Sequence, residues 1–136
     1  MNDLMASIGI IQLKKLRKFN KLRNDAIKKY LNGIKNLKKI SPSYPHINKN
    51  IAYWMFSIRV KQRDKCIEYL KKRKISTSVV WMPLNLHPIY KKYKYSTPNA
   101  LKVWKELITL PLYSDIKTMD INYIVKCLKE YEKNLK

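Results

Sequence analysis

Apolar positions in the first quarter of the chain recur at helical spacing. Leu4, Ile8 and Ile11 form one series, and Leu16, Phe19, Leu22, Ala26, Ile27, Tyr30, Leu31 and Ile34 form a second. The spacing predicts two successive helical segments, with Asp3 placed to cap the start and Asn32-Gly33 marking fraying or termination. Ala6, Ser7 and Gly9 add a strip of small residues among Leu4, Met5, Ile8, Ile10 and Ile11. The opening turns are therefore apolar almost all round, a pattern that belongs to a helix buried in a larger body.

The pattern then changes. Residues 38–51 hold Pro42, Pro45 and several Ser and Asn, which reads as a connecting loop. AYWMFSIRV at 52–60 is rich in aromatic and β-branched residues and reads as a strand. A short helix is expected over 62–73, with Cys66, Ile67 and Leu70 on one face, followed by a second strand, STSVVW, at 76–81. MPLNLHPIYKKYKY is a proline-containing loop. Thr97 is placed to cap the next helix, Pro98 suits its first position, and Leu101 and Trp104 point inward. ITLPLY at 108–113 reads as a third strand, whose Pro111 marks an edge or a strand end. Thr118 is expected to cap a last helix, Asp120 sits near its positive end, and the stripe is Ile121, Ile124, Val125, Leu128, Tyr131 and Leu135. The economical packing is an α/β arrangement of the α+β kind: a small three-stranded sheet covered by helices on one face, with a long helical arm in front.

Composition narrows what such a domain does. The chain has 136 residues, 46% of them hydrophobic and 29% charged, too apolar for a disordered tail and long enough for one core. Two glycines leave no material for a Gly-rich phosphate loop. The formal net charge is +21, which attracts polyanions. Yet 25 of the 30 basic residues are Lys, and Ile (16) and Asn (11) are abundant too. That combination has the signature of compositional bias, whereas Arg is the residue that bidentate phosphate and base-edge recognition prefer. A solvated Lys-rich exterior is the favoured reading, and a basic anion-binding module for nucleic acid or membrane surfaces is the alternative.

Candidate chemistry is sparse. Cys66 and Cys127 lack metal-ligand or redox spacing and are expected to be small buried residues in a reduced, cytoplasmic setting. Asp3 stands where a secretory signal needs a basic region, and no apolar run is long enough to span a membrane. His46 and His87 are the two histidines, and neither has a placed acid or base partner. Glu130 and Glu132 lie among lysines and read as solvated. YKKYKY at 90–95 interleaves aromatic and basic residues as single-strand binders do, although tyrosines covering a core with lysines in water explain it equally well. The basic helix of residues 14–39 would suit an anionic membrane, but its apolar face is needed for packing. No catalytic and no metal residues are identified.

Taken in order, NDLMASIGIIQLKKL (2–16), AYWMFSIRV (52–60), ISTSVVWMPLNLHPIY (75–90), TPNALKVWKELITLPLY (97–113) and TMDINYIVKCLKEY (118–131) resemble the carboxy-terminal part of the DegT/DnrJ/EryC1/StrS sugar aminotransferases. Those are pyridoxal-phosphate (PLP) enzymes of fold type I that place an amino group on nucleotide-linked keto sugars. Their first segment reads roughly D-[IL]-x-A-A-x-G-x-x-Q-L. Asp3, Leu4, Ala6, Gly9, Gln12 and Leu13 fit it, with Ser7 in place of an alanine. Their later loop often reads H-Y-x-P-L-H-x-x-P-x-Y. Pro83, Leu84, Pro88 and Tyr90 match, Trp81 is an aromatic replacement, Val80 replaces a His, and Asn85 stands where a His is frequent.

The resemblance implies that Trp81, Asn85, His87 and Tyr90 would line the sugar side of the pocket in a complete enzyme of polysaccharide or surface-glycan synthesis. It implies a helical arm at 1–37 that packs on a large domain, and a small carboxy-terminal domain at 38–136. The Schiff-base lysine, the aspartate that pairs with the cofactor ring nitrogen and most phosphate contacts belong to that large domain, so these residues read as a truncated or split gene product that is inactive alone. PLP is the cofactor of the complete enzyme, and none is expected on this chain by itself. The large domain on a separate chain is the expected partner if the gene is split. Homodimers are usual in the family, and no specific nucleic acid and no membrane span are expected.

Overall fold

A computed structural model of the chain describes residues 1–48, 51–93 and 95–135. Its first element, α1, is one continuous helix, Asp3–Ile34, of 32 residues. The two apolar series fuse because Gln12 to Lys18 holds only strong helix formers and no breaker. Asn2, not Asp3, is the cap: its side-chain oxygen accepts the Met5 N–H at 3.0 Å. Asp3 sits in the first turn, at the positive end of the helix. Only the second half packs, burying Ala26, Ile27, Tyr30 and Ile34. Gly33 does not end the helix. A Cβ there would lie 2.7 Å from Val125 Cγ2, so glycine lets α1 approach the last helix closely.

Three strands form an antiparallel sheet: β1 Ile40–Pro42, β2 Phe56–Val60 and β3 Leu107–Leu110, in that spatial order. Ile40 pairs with Val60, and Pro42 with Ile58; across the sheet Ile58 pairs with Ile108, and Phe56 with Leu110. Alternation therefore puts Ile40, Phe56, Ile58, Val60, Ile108 and Leu110 on one face, and all are buried. That face meets the buried side of α1, where Tyr30 stacks on Phe56 at 5.0 Å between centroids. It also meets α2, Arg63–Lys72, through Cys66 and Leu70, and α4, Thr118–Lys133, through Ile121, Ile124, Leu128 and their neighbours. Burial pushes the Cys66 thiol up to about 12. The fold class is the expected one, a small α/β unit whose sheet is covered by helices on one face.

Several local expectations are corrected. The first strand lies inside the segment read as a loop, where Ile40 is buried on the core side although two prolines follow. Lys49 and Asn50 of that loop lie outside the described residues. The strand expected at 76–81 is a single bridge, Ser78 to Thr109, with N···O distances of 3.2 and 2.8 Å. It cannot extend along β3, because the next donors on that edge are missing. Pro111 has no N–H, and the Leu107 N–H closes the end of the preceding helix on Trp104 O. That helix, α3, spans Pro98–Glu106 and lies at the rim, so Leu101 and Trp104 are only half-buried. Neither Thr97 nor Thr118 caps through its side chain. The Thr118 hydroxyl accepts from Lys29 Nζ at 2.7 Å, tying α4 to α1.

Candidate functional site

The four site residues expected from the sequence all fall on the irregular segment between Val79 and Thr97. Two short 3-10 turns, Leu84–Leu86 and Pro88–Tyr93, shape it. Pro83 and Pro88 fix the backbone at the entrance of each turn. The bonds are local: Leu86 N–H to Pro83 O at 2.9 Å, His87 N–H to Leu84 O at 3.0 Å and Tyr90 N–H to His87 O at 3.0 Å.

Asn85 is a brace. Its amide donates to Tyr95 O at 3.1 Å, and its Oδ1 accepts from the Thr97 hydroxyl at 2.8 Å. The side chain thereby ties the first turn to the start of α3, and the bond explains why Thr97 does not cap that helix. His87 is half-buried and Tyr90 is exposed. Among the described residues no hydrogen bond or ring contact joins the side chains of Trp81, Asn85, His87 and Tyr90 to one another.

Trp81 is the unusual member. Its φ is 49°, in the left-handed region, which costs a bulky residue about 1–2 kcal/mol. The residue is 73% exposed, and its ring meets Trp54 edge to face at 6.1 Å between centroids. Trp54 is 64% exposed. It was hidden in the sequence because AYWMFSIRV reads as one strand, whereas only Phe56 onward joins the ladder. An exposed tryptophan just ahead of a buried strand is the signal that marks it. Two such rings make an open aromatic wall, an arrangement able to bind a ring-shaped ligand, and among the described residues no paired acid and base stands at it to transform one.

In YKKYKY, Tyr93 and Tyr95 stack at 6.5 Å, and Lys92 lies over Tyr93 at 5.0 Å. Lys94 of that stretch lies outside the described residues. Aromatic and basic side chains here face one another on the surface.

A Schiff-base lysine is a desolvated one, and every described lysine is exposed. No aspartate is buried to pair with a ring nitrogen. Among the described residues there is also no cluster of three metal-ligating side chains, and no helix is long and apolar enough to cross a membrane.

The sequence profile of the DegT/DnrJ/EryC1/StrS aminotransferase family matches residues 1–129. MJ1066 of Methanocaldococcus jannaschii, a protein of uncharacterized function, is 37% identical over 96% of this chain and 36% of its own length. The spore coat polysaccharide biosynthesis protein SpsC of Bacillus subtilis is 28% identical over 98% of this chain and 37% of its own. Among solved structures, Spr1654 from Streptococcus pneumoniae, assigned as a sugar aminotransferase and solved in apo, PLP and PMP forms, superposes with a TM-score of 0.88 at 26% identity, and its apo form is matched over 98% of this chain and 36% of that one. Helicobacter pylori PseC shares the fold, with a TM-score of 0.88 at 18% identity over 99% of this chain and 38% of that one. The chain thus spans little more than a third of the length of the curated relatives it matches.

Proposed function

The chain belongs to the DegT/DnrJ/EryC1/StrS aminotransferase family, and from that premise we propose that it is the small-domain part of a PLP-dependent aminotransferase acting on nucleotide-linked keto sugars in polysaccharide or surface-glycan synthesis. The catalytic lysine and the cofactor seat come from a large domain, on a separate chain if the gene is split. Alone, this chain neither holds PLP nor transaminates. Its helical arm, residues 1–37, docks on that large domain through its first half, and residues 38–136 form the small domain proper. Trp81, with Trp54 beside it, His87 and Tyr90 face the sugar, while Asn85 holds their loop in shape. The complete enzyme works in the cytoplasm and pairs as a homodimer.

One observation carries this reading. Leu4, Met5, Ile8, Ile10, Ile11 and Leu13 stand 48–70% exposed on a helix whose other half is in the core. A patch of that kind marks an interaction surface. Gly9, amid it, has open space around its absent Cβ, so nothing within this chain requires a glycine there.

The test is reconstitution. The purified chain with PLP is expected to show no visible absorbance band of bound cofactor and no turnover of a nucleotide keto sugar with glutamate. Co-expressed with a PLP-binding large domain of the family, it is expected to copurify and restore turnover. Activity of the chain alone, or failure of the two to associate, would overturn the reading.

A further inference from the structure

A second cleft lies away from the aromatic loop, where β1 begins, β2 ends and β3 begins. It measures about 300 Å3 and is lined by Lys38, Lys39, Ser41, Arg59, Lys61 and Glu106, with the backbone of Val60 between them. Arg59 stands at the opposite end of β2 from Trp54. Four cations converge here from the approach to β1, from β2 and from the turn after it.

Two of the four are held in place. Arg59 donates from Nε at 3.0 Å and from Nη2 at 2.6 Å to a single oxygen of Glu106. That contact orients the guanidinium plane without using Nη1, which keeps its donors. Lys39 is fixed at both ends: its N–H donates to Glu132 Oε1 at 2.6 Å, and its ammonium donates to Leu135 O. Lys38 and Lys61 are exposed, each an ammonium on a flexible four-carbon stem. Counting Glu106 and Glu132 against the four cations leaves the cleft with two positive charges.

Size and shape decide the ligand class. The cleft is at the small end of ligand sites, and more of its lining is polar than apolar. The carboxylates beside it interrupt the positive surface, which disfavours a polymer running across it and suits a short, highly charged anion. Ammonium and guanidinium donors approaching from different directions need several acceptor oxygens around one centre, which a phosphate supplies. We propose that this cleft is a seat for a phosphate chain of two or three groups.

The experiment is titration of the full chain with inorganic tripolyphosphate and, side by side, with adenosine diphosphate, by calorimetry at low and moderate salt. Saturable binding that weakens with salt is expected. Equal affinity per phosphate assigns the seat to an inorganic chain, and tighter diphosphate binding assigns it to a nucleotide; either supports the seat. The double variant Lys38→Glu, Lys61→Glu is expected to lose about tenfold in affinity, and Glu106→Gln to gain severalfold by releasing Arg59. The arm variant Lys14→Glu, Lys15→Glu carries the same change in net charge and is expected to bind as the parent does. An equal loss in the arm variant would show a diffuse field in place of a site. That result, no loss in the cleft variant, or no saturable binding of either probe, would overturn the proposal.

Discussion

Trp81 combines a strained backbone with a ring that is mostly in water, so its side chain adds little to folding. Replacing it with glycine removes the left-handed penalty of about 1 kcal/mol or more and loses an edge contact of about the same size. Trp81→Gly is therefore expected to melt within a few degrees of the parent, or above it, while raising KM for the sugar in the reconstituted enzyme. A clear drop in Tm would mean that the tryptophan pair is structural. Tyr30 is the opposite case. It is fully buried, and its hydroxyl donates to Pro111 O at 2.9 Å. Burial first, then Tyr113 and Asp120, hold its phenol well above the usual range. The folded state therefore keeps a proton that the unfolded chain releases above about pH 10. Stability is full below that pH and falls as pH rises through the tyrosine range. Tyr30→Phe is expected to cost about 1 kcal/mol at neutral pH and to flatten the alkaline slope in denaturant titrations. Tyr44, raised by burial and by Tyr53, retains part of that slope.

At the scale of elements, what was legible in the sequence was whatever rested on long periodicity. α1, α2 and α4 follow their apolar stripes, and Phe56 to Val60 follows its β-branched and aromatic content. What was not legible depends on partners distant in the chain. Ile40 becomes a strand residue only because Val60 lies opposite it. STSVVW has strand composition, yet its neighbour offers no donors at Leu107 and Pro111. The site shows the same division. Trp81, Asn85, His87 and Tyr90 were named through the resemblance of their loop to the family's, whereas that Asn85 braces Tyr95 and Thr97, and that Trp54 joins Trp81, follows from the path of the backbone. Gly33 is the sharpest example, read as a terminator and found at a helix crossing. Gly33→Ala forces a methyl to within 2.7 Å of Val125 Cγ2, and overpacking of this kind costs about 1–3 kcal/mol. The added change Val125→Ala is expected to recover part of that loss in equilibrium unfolding; no recovery would place the cost elsewhere in α1.

For the whole molecule, charge and apolar surface are separated along α1. The first thirteen residues carry Asp3 as their one charged side chain, while Lys14, Lys15, Arg17 and Lys18 begin just beyond them. In the absence of a large domain, the exposed Leu4, Ile8 and Ile11 have only one another to cover them, and the +21 charge opposes any such contact between copies. Salt reduces that repulsion, because the Debye length falls from about 30 Å at 0.01 M to about 8 Å at physiological strength, and it leaves apolar attraction in place. Self-association of the isolated chain is therefore expected to increase with salt, the reverse of phosphate binding at the cleft. Light scattering or sedimentation across a salt series reads the sign directly. Ile8→Lys with Ile11→Lys is expected to abolish association while leaving circular dichroism and Tm unchanged, because neither side chain reaches the core. The same variant should fail to copurify with a large domain. A chain that stays monomeric at all salt concentrations, or a variant that still docks, would show that the arm's apolar face is not the surface through which this domain finds its partner.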